Sequence, residues 1–136
     1  MNKLKQVILP LLMISPLCTA AEAPLVSIKT HDSFFNSIKA LCNKAFEGKV
    51  TVDNASSDSF LNKKLIMHVR KCDERQLQIP FHVGRDASRT WLITKTGSGL
   101  SLKHDHRHED GTNDKSTMYG GHTLDAGWAN VQSFPA

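Results

Sequence analysis

Arg89-Thr90-Trp91-Leu92-Ile93-Thr94-Lys95-Thr96-Gly97-Ser98-Gly99-Leu100-Ser101-Leu102-Lys103-His104-Asp105-His106 is the stretch that decides how this chain folds. Two runs of period-two residues flank Gly97-Ser98, and that alternation marks half-buried β-strands. A two-residue turn of type II′, with Gly97 at the position that needs positive φ, predicts a hairpin. Its register sets Lys95 opposite Leu100, Ile93 opposite Leu102, Trp91 opposite His104 and Arg89 opposite His106. A three-residue loop would set Ile93 against Lys103 and Trp91 against Asp105, opposing apolar groups with charges, so the shorter turn is preferred. Trp91, Ile93, Leu100 and Leu102 then share one face, and the histidines that follow extend it.

Those histidines lie in Lys103-His104-Asp105-His106-Arg107-His108-Glu109-Asp110. Successive strand side chains point to opposite faces, so His104, His106 and His108 line one side and Asp105, Arg107 and Glu109 the other. Two imidazoles at i and i+2 lie about 6.6 Å apart along a strand, close enough to reach one transition metal. His104 and His108 are about 13 Å apart by the same rise, so a further ligand must come from elsewhere, among His68, His82, His122 and the acidic side chains. The predicted metal set is His104, His106 and His122, suited to zinc, copper or nickel, with Met118 favouring reduced copper. The predicted ligand site comprises Trp91, His104, His106, His108 and Met118. A blander reading makes the charged ladder an outward face that discourages edge pairing, with the histidines a polar continuation of the sheet.

Asp110-Gly111-Thr112-Asn113-Asp114 is a polar turn. If it places Glu109 opposite Lys115, Met118 faces His106 and Gly120 faces His104, where Gly120-Gly121 admits a sharp bend or a closely approaching ligand. The turn lacks the twelve-residue loop and terminal glutamate of a calcium hand. His-x-His patterns of metallo-β-lactamases and cupins fail at the residues that should accompany them. No Gly-x-Ser-x-Gly elbow, His-Glu-x-x-His helix or phosphate loop is present, and no catalytic residue is assigned. Arg85, Asp86 and Arg89 read as solvated charges of a turn.

Upstream, Asp32 or Ser33 can cap a helix in which Phe34, Ile38, Leu41 and Ala45 recur at helical spacing and Gly48 supplies the stop. From Lys49 onward, turn signals recur about every ten residues, as in antiparallel β-proteins. Strands are predicted near 49–53, 62–71, 75–83, 89–96, 99–109, 115–120, 122–127 and 129–134, with Pro80 demoting its strand to an edge or marking a bulge. The fold class is mostly β: an N-terminal α-helix followed by an antiparallel meander of about seven or eight strands, forming a small barrel or strongly curved sheet.

Residues 1–21 read as a secretory signal peptide: Lys3 and Lys5, the apolar run from Val7 to Leu17, then Cys18-Thr19-Ala20-Ala21. Residues 22–136 make one domain. Cleavage leaves Cys42 and Cys72 as an even pair in an oxidising compartment, where a disulfide is expected. It also removes two of the 17 basic residues, leaving 15 against 13 acidic ones. Near neutrality and the lack of a basic stripe with interleaved aromatics argue against nucleic-acid binding. The apolar run is too short for a lasting membrane anchor.

Lys64 to Pro135, with Arg89-Thr90-Trp91, the Lys103 to Gly111 stretch and Met118-Tyr119-Gly120-Gly121, resembles a family of small exported bacterial proteins. The resemblance implies a bacterial periplasmic or secreted protein and brings no activity with it. The functional expectation is a non-enzymatic module that binds a small ligand or a metal through the histidine strand. The alternatives are a small metal-dependent hydrolase or lyase, and an envelope interaction or inhibitor protein without a pocket.

Overall fold

The computed structural model describes residues 28–52 and 59–136, so the predicted signal peptide lies outside the described residues. Six strands form one antiparallel sheet: β1 (Ala45–Gly48), β2 (Leu65–His68), β3 (Lys71–Cys72), β4 (Gln76–Val83), β5 (Asp86–Thr96) and β6 (Gly99–His106). Their order is β1-β2-β4-β5-β6, with β3 paired to β4 beyond the end of β2. The β5–β6 hairpin has the register read from the sequence, including Ile93 opposite Leu102, Trp91 opposite His104 and Arg89 opposite His106. The positive backbone angle at its turn falls on Gly99, φ 133°, rather than on Gly97.

Pro80 sits inside the central strand β4 and costs no pairing. Gln78 accepts the Arg70 amide through its carbonyl, so its backbone faces the β2–β3 side. Pro80, two residues on, faces that side too, at the break where pairing with β2 has ended and pairing with β3 begins further along. A missing N–H is tolerated at such a gap.

The sheet does not close into a barrel, which corrects the barrel expectation. The strands predicted at 115–120, 122–127 and 129–134 do not form. After His106 the chain folds back along β6 through the isolated bridges Arg107–Asn113, His104–Tyr119 and Ser101–His122. Left-handed backbone at Met118 (φ 56°) and positive φ at Gly120 (134°) and Gly127 (51°) break the alternation that a continuous strand needs.

The helix α1 spans Lys29–Lys39, earlier and shorter than its apolar spacing predicts. Ile28 is its N-cap residue, without a side-chain cap; Asp32 lies in the first turn and bonds Lys95 of β5 at 2.6 Å. Thr30 and His31 bond the carbonyls of Ala126 and Asp125, which ties the first turn to the C-terminal segment. The helix stops because Asn43 is left-handed (φ 65°) and the sheet captures the chain: Asn43 donates to the Val69 carbonyl and Val69 to that of Lys44. Ala45 and Phe46 therefore belong to β1, not to the helix.

Phe35 anchors the helix. Its ring is fully buried in a cluster with Leu77, Ile79, Ile93 and Leu100, with Phe34, Ile38, Leu102 and Phe134 packed around it. Removing such a side chain costs about 3 to 5 kcal/mol. Cys42, just past the helix, is disulfide-bonded to Cys72 of β3. The opposite sheet face is polar, with Gln76, Gln78 and Thr94 hydrogen-bonded to one another.

Candidate functional site

Cross-strand pairing fixes what lies on the core face. One row is Leu77–Ile93–Leu102, the next Ile79–Trp91–His104, the next Phe81–Arg89–His106. The helix covers the first of these and Ile79. Beyond it the same face continues as rings and charges: Phe81 stacks on Trp91 with centroids 5.4 Å apart, and Phe60 meets Phe81 edge-on. Trp91 is 38% exposed. The histidine strand thus does share the apolar face, as its alternation predicts, on the half that the helix leaves uncovered.

His104 and His106 stack at 5.6 Å, and the Tyr119 ring meets His104 edge-on at 4.8 Å. The second hairpin is offset by one residue from expectation, so Tyr119 stands across from His104 where Gly120 was expected. Met118 donates its amide to the His104 carbonyl and is itself exposed. His104 Nδ1 is buried without a hydrogen-bond partner. Burial pushes the His104 pKa down, and the neighbouring charges of His106 and Arg89 act the same way.

His106 lies at the centre of a polar chain. Its Nε2 stands 2.9 Å from Ser88 Oγ, and its Nδ1 stands 3.9 Å from Asp114 Oδ1. His108, more exposed, places its own Nδ1 3.9 Å from Asp114 Oδ2. The Ser88 amide donates to Asp86 Oδ1 at 2.9 Å, and the Ser88 hydroxyl and amide, with the paired Arg89 guanidinium, keep the Asp86 carboxyl well below the usual carboxylate range. The Ser116 amide lowers the Asp114 pKa first, with His106 and His108 adding to it. Asp114 is held in place by its own amide, which donates to the His106 carbonyl at 3.0 Å.

The turn itself is tightly built. His108 donates to the Thr112 carbonyl and Gly111 to that of His108, while Asp110 accepts from both the amide and the hydroxyl of Thr112. Between this turn and the β4–β5 turn lies a partly open cleft of about 660 Å³, lined by Arg85, Asp86 and Ser88 on one wall and Arg107, His108 and Glu109 on the other.

His122 does not join His104 and His106. It pairs with Ser101, whose strand position faces away from theirs, so the predicted metal trio does not converge. As they stand, no three His, Cys, Asp or Glu side chains among the described residues are close enough to hold a metal ion. Ser88 and Asp114 went unassigned in the sequence because their partners are set by the register of the loop, not by spacing in the chain. His31, buried at the helix start and bonded to the Asp125 carbonyl, is equally silent in the sequence, since a lone histidine in a helix carries no signal of such a contact.

No family model, curated protein or solved structure matches the chain. Among the described residues no helix is long and apolar enough to cross a membrane. The disulfide is compatible with an exported protein.

Proposed function

We propose that this is an exported, non-enzymatic binding module whose ligand site is the cleft at the histidine-bearing end of the sheet. The observation that carries the reading is the cleft itself. Its volume of about 660 Å³ lies in the range of small-molecule sites, and its walls carry separate charges. Arg107 is satisfied by Asp105 and the Gly111 carbonyl, and Asp86 by Arg89 and Ser88. Among the described residues, no ion pair engages Arg85 on one wall or Glu109 on the other. A cation facing a carboxylate across a cleft suits a small ligand bearing both charges, of amino-acid or short-peptide type. The cleft favours this reading over an interaction protein without a pocket.

The test is calorimetry of the disulfide-bonded protein against the free amino acids and glycylglycine. Saturable binding is expected for at least one of them, weakened about tenfold by Arg85→Ala or Glu109→Ala, the loss of one charge-assisted contact. No saturable binding, or binding indifferent to both substitutions, would remove the proposal.

A further inference from the structure

We infer that the outer edge of β1 is a pairing site for a second copy of this chain, the two β1 strands joining antiparallel about Gly48 into one continuous sheet. The sheet has two edge strands, and the chain treats them differently. After His106 it folds back along β6 through the bridges His104–Tyr119 and Ser101–His122. Among the described residues nothing pairs with the outer side of β1, which is exposed along its whole length. An uncovered edge presents a row of unpaired N–H and C=O groups to another strand.

Backbone alternation decides which groups face outward. The Val69 amide donates to the Lys44 carbonyl, and Phe46 and Gly48, in phase with Lys44, turn their backbone toward Met67 and Leu65 of β2. Ala45 and Glu47 therefore turn theirs outward, and Lys49 is next in that phase. A twofold axis makes such pairing self-complementary, so each register is judged by what it sets opposite Glu47. Centring on Glu47 sets it against its own copy, which is repulsive. Centring on Phe46 sets it against the partner's Ala45 and runs the pairing into the left-handed Asn43. Centring on Gly48 sets Glu47 against the partner's Lys49, and Lys49 against the partner's Glu47, each pair exchanging N–H and C=O in both directions.

Side-chain chemistry agrees on both faces. Phe46, Gly48 and, by alternation, Val50 share the face of Met67 and Leu65, where a cross-strand row already runs Phe81–Met67–Phe46. The Gly48 register sets Phe46, 39% exposed, opposite the partner's Val50, at the close spacing where facing side chains touch. The second chain thus continues the apolar row. At the axis Gly48 meets the partner's Gly48, with no side chain to hinder approach. On the other face Glu47 holds Lys64 at 3.3 Å, while among the described residues no ion pair engages Lys49. Pairing supplies Lys49 with a carboxylate. No residue lining the cleft takes part, so the join is independent of the proposed ligand site.

Sedimentation equilibrium of the disulfide-bonded protein, from about 10 µM to about 1 mM, should show reversible association of monomers into dimers. Glu47→Lys and Lys49→Glu each set like charges opposite one another at both symmetric positions and should weaken the dimer at least about tenfold. Mixing the two variants should restore it, because a mixed pair again opposes unlike charges at both positions. Gly48→Cys, where an added Cβ meets nothing nearer than Leu65 Cβ at 4.0 Å, should form a disulfide-linked dimer on mild oxidation faster than Lys115→Cys on the remote turn. Facing residues at the axis lie about 4.5 Å apart, within disulfide reach. A chain that stays monomeric to the highest concentration would overturn the site. So would a dimer indifferent to both charge changes, one that mixing does not restore, or cross-linking at Gly48 no faster than at Lys115.

Discussion

Of the turn charges Arg85, Asp86 and Arg89, the structure ties Asp86 and Arg89 to partners: the Ser88 amide and the Arg89 guanidinium converge on the Asp86 carboxylate. A group whose folded pKa is depressed adds stability above its unfolded value, near pH 4, and loses it as pH falls through the folded value. Urea midpoints of the parent and of Asp86→Asn, followed from about pH 6 to about pH 3, should show the parent ahead at the upper end and the gap shrinking toward the lower. A gap independent of pH would show that the carboxylate's charge plays no part. The sequence could not reveal this chain of contacts, because Ser88 meets His106 only through pairing of β5 with β6. His104 and His106, by contrast, were legible as a pair on one face from alternation alone.

Elements divide by the same criterion. The β5–β6 hairpin was readable residue by residue because a one-residue slip would set Trp91 and Ile93 against charges. The segment after His106 was not, since its bends depend on contacts with β6. Gly120 shows the cause: at φ 134°, a Cβ there would lie 2.2 Å from the Leu102 carbonyl oxygen, backbone that cannot move aside. Gly120→Ala is expected to destabilise the protein by at least about 2 kcal/mol through this clash and the strained angle. Gly84→Ala, at φ 63° with nothing within 4 Å, should cost only about 1 kcal/mol. Urea unfolding at neutral pH measures both, and equal losses would mean that Gly120 does not hold the fold-back against β6. The helix was legible in its apolar residues but not in its end, since Asn43 and Val69 meet only in the sheet.

At the scale of the molecule, one sheet face has two halves. The helix buries Leu77, Ile79, Ile93 and Leu100 under Phe35, and the Cys42–Cys72 bond fastens the chain just past the helix to β3. That link closes a separation of 30 residues and is worth about 3 to 4 kcal/mol. The remaining half carries Trp91, His104 and His106, and the cleft lies beyond them, lined by His108 but by none of these three. A core on one half lets the other keep charges without ion pairs, which would be costly within the hydrophobic cluster. The division assigns binding to the cleft end and packing to the helix end. Amide chemical-shift mapping of the disulfide-bonded protein titrated with a mixture of free amino acids tests this most directly. The account predicts saturable shifts confined to residues 85–89 and 106–114, with the amides of Lys29–Lys39 silent; shifts centred on the helix, or none at the cleft, would contradict it.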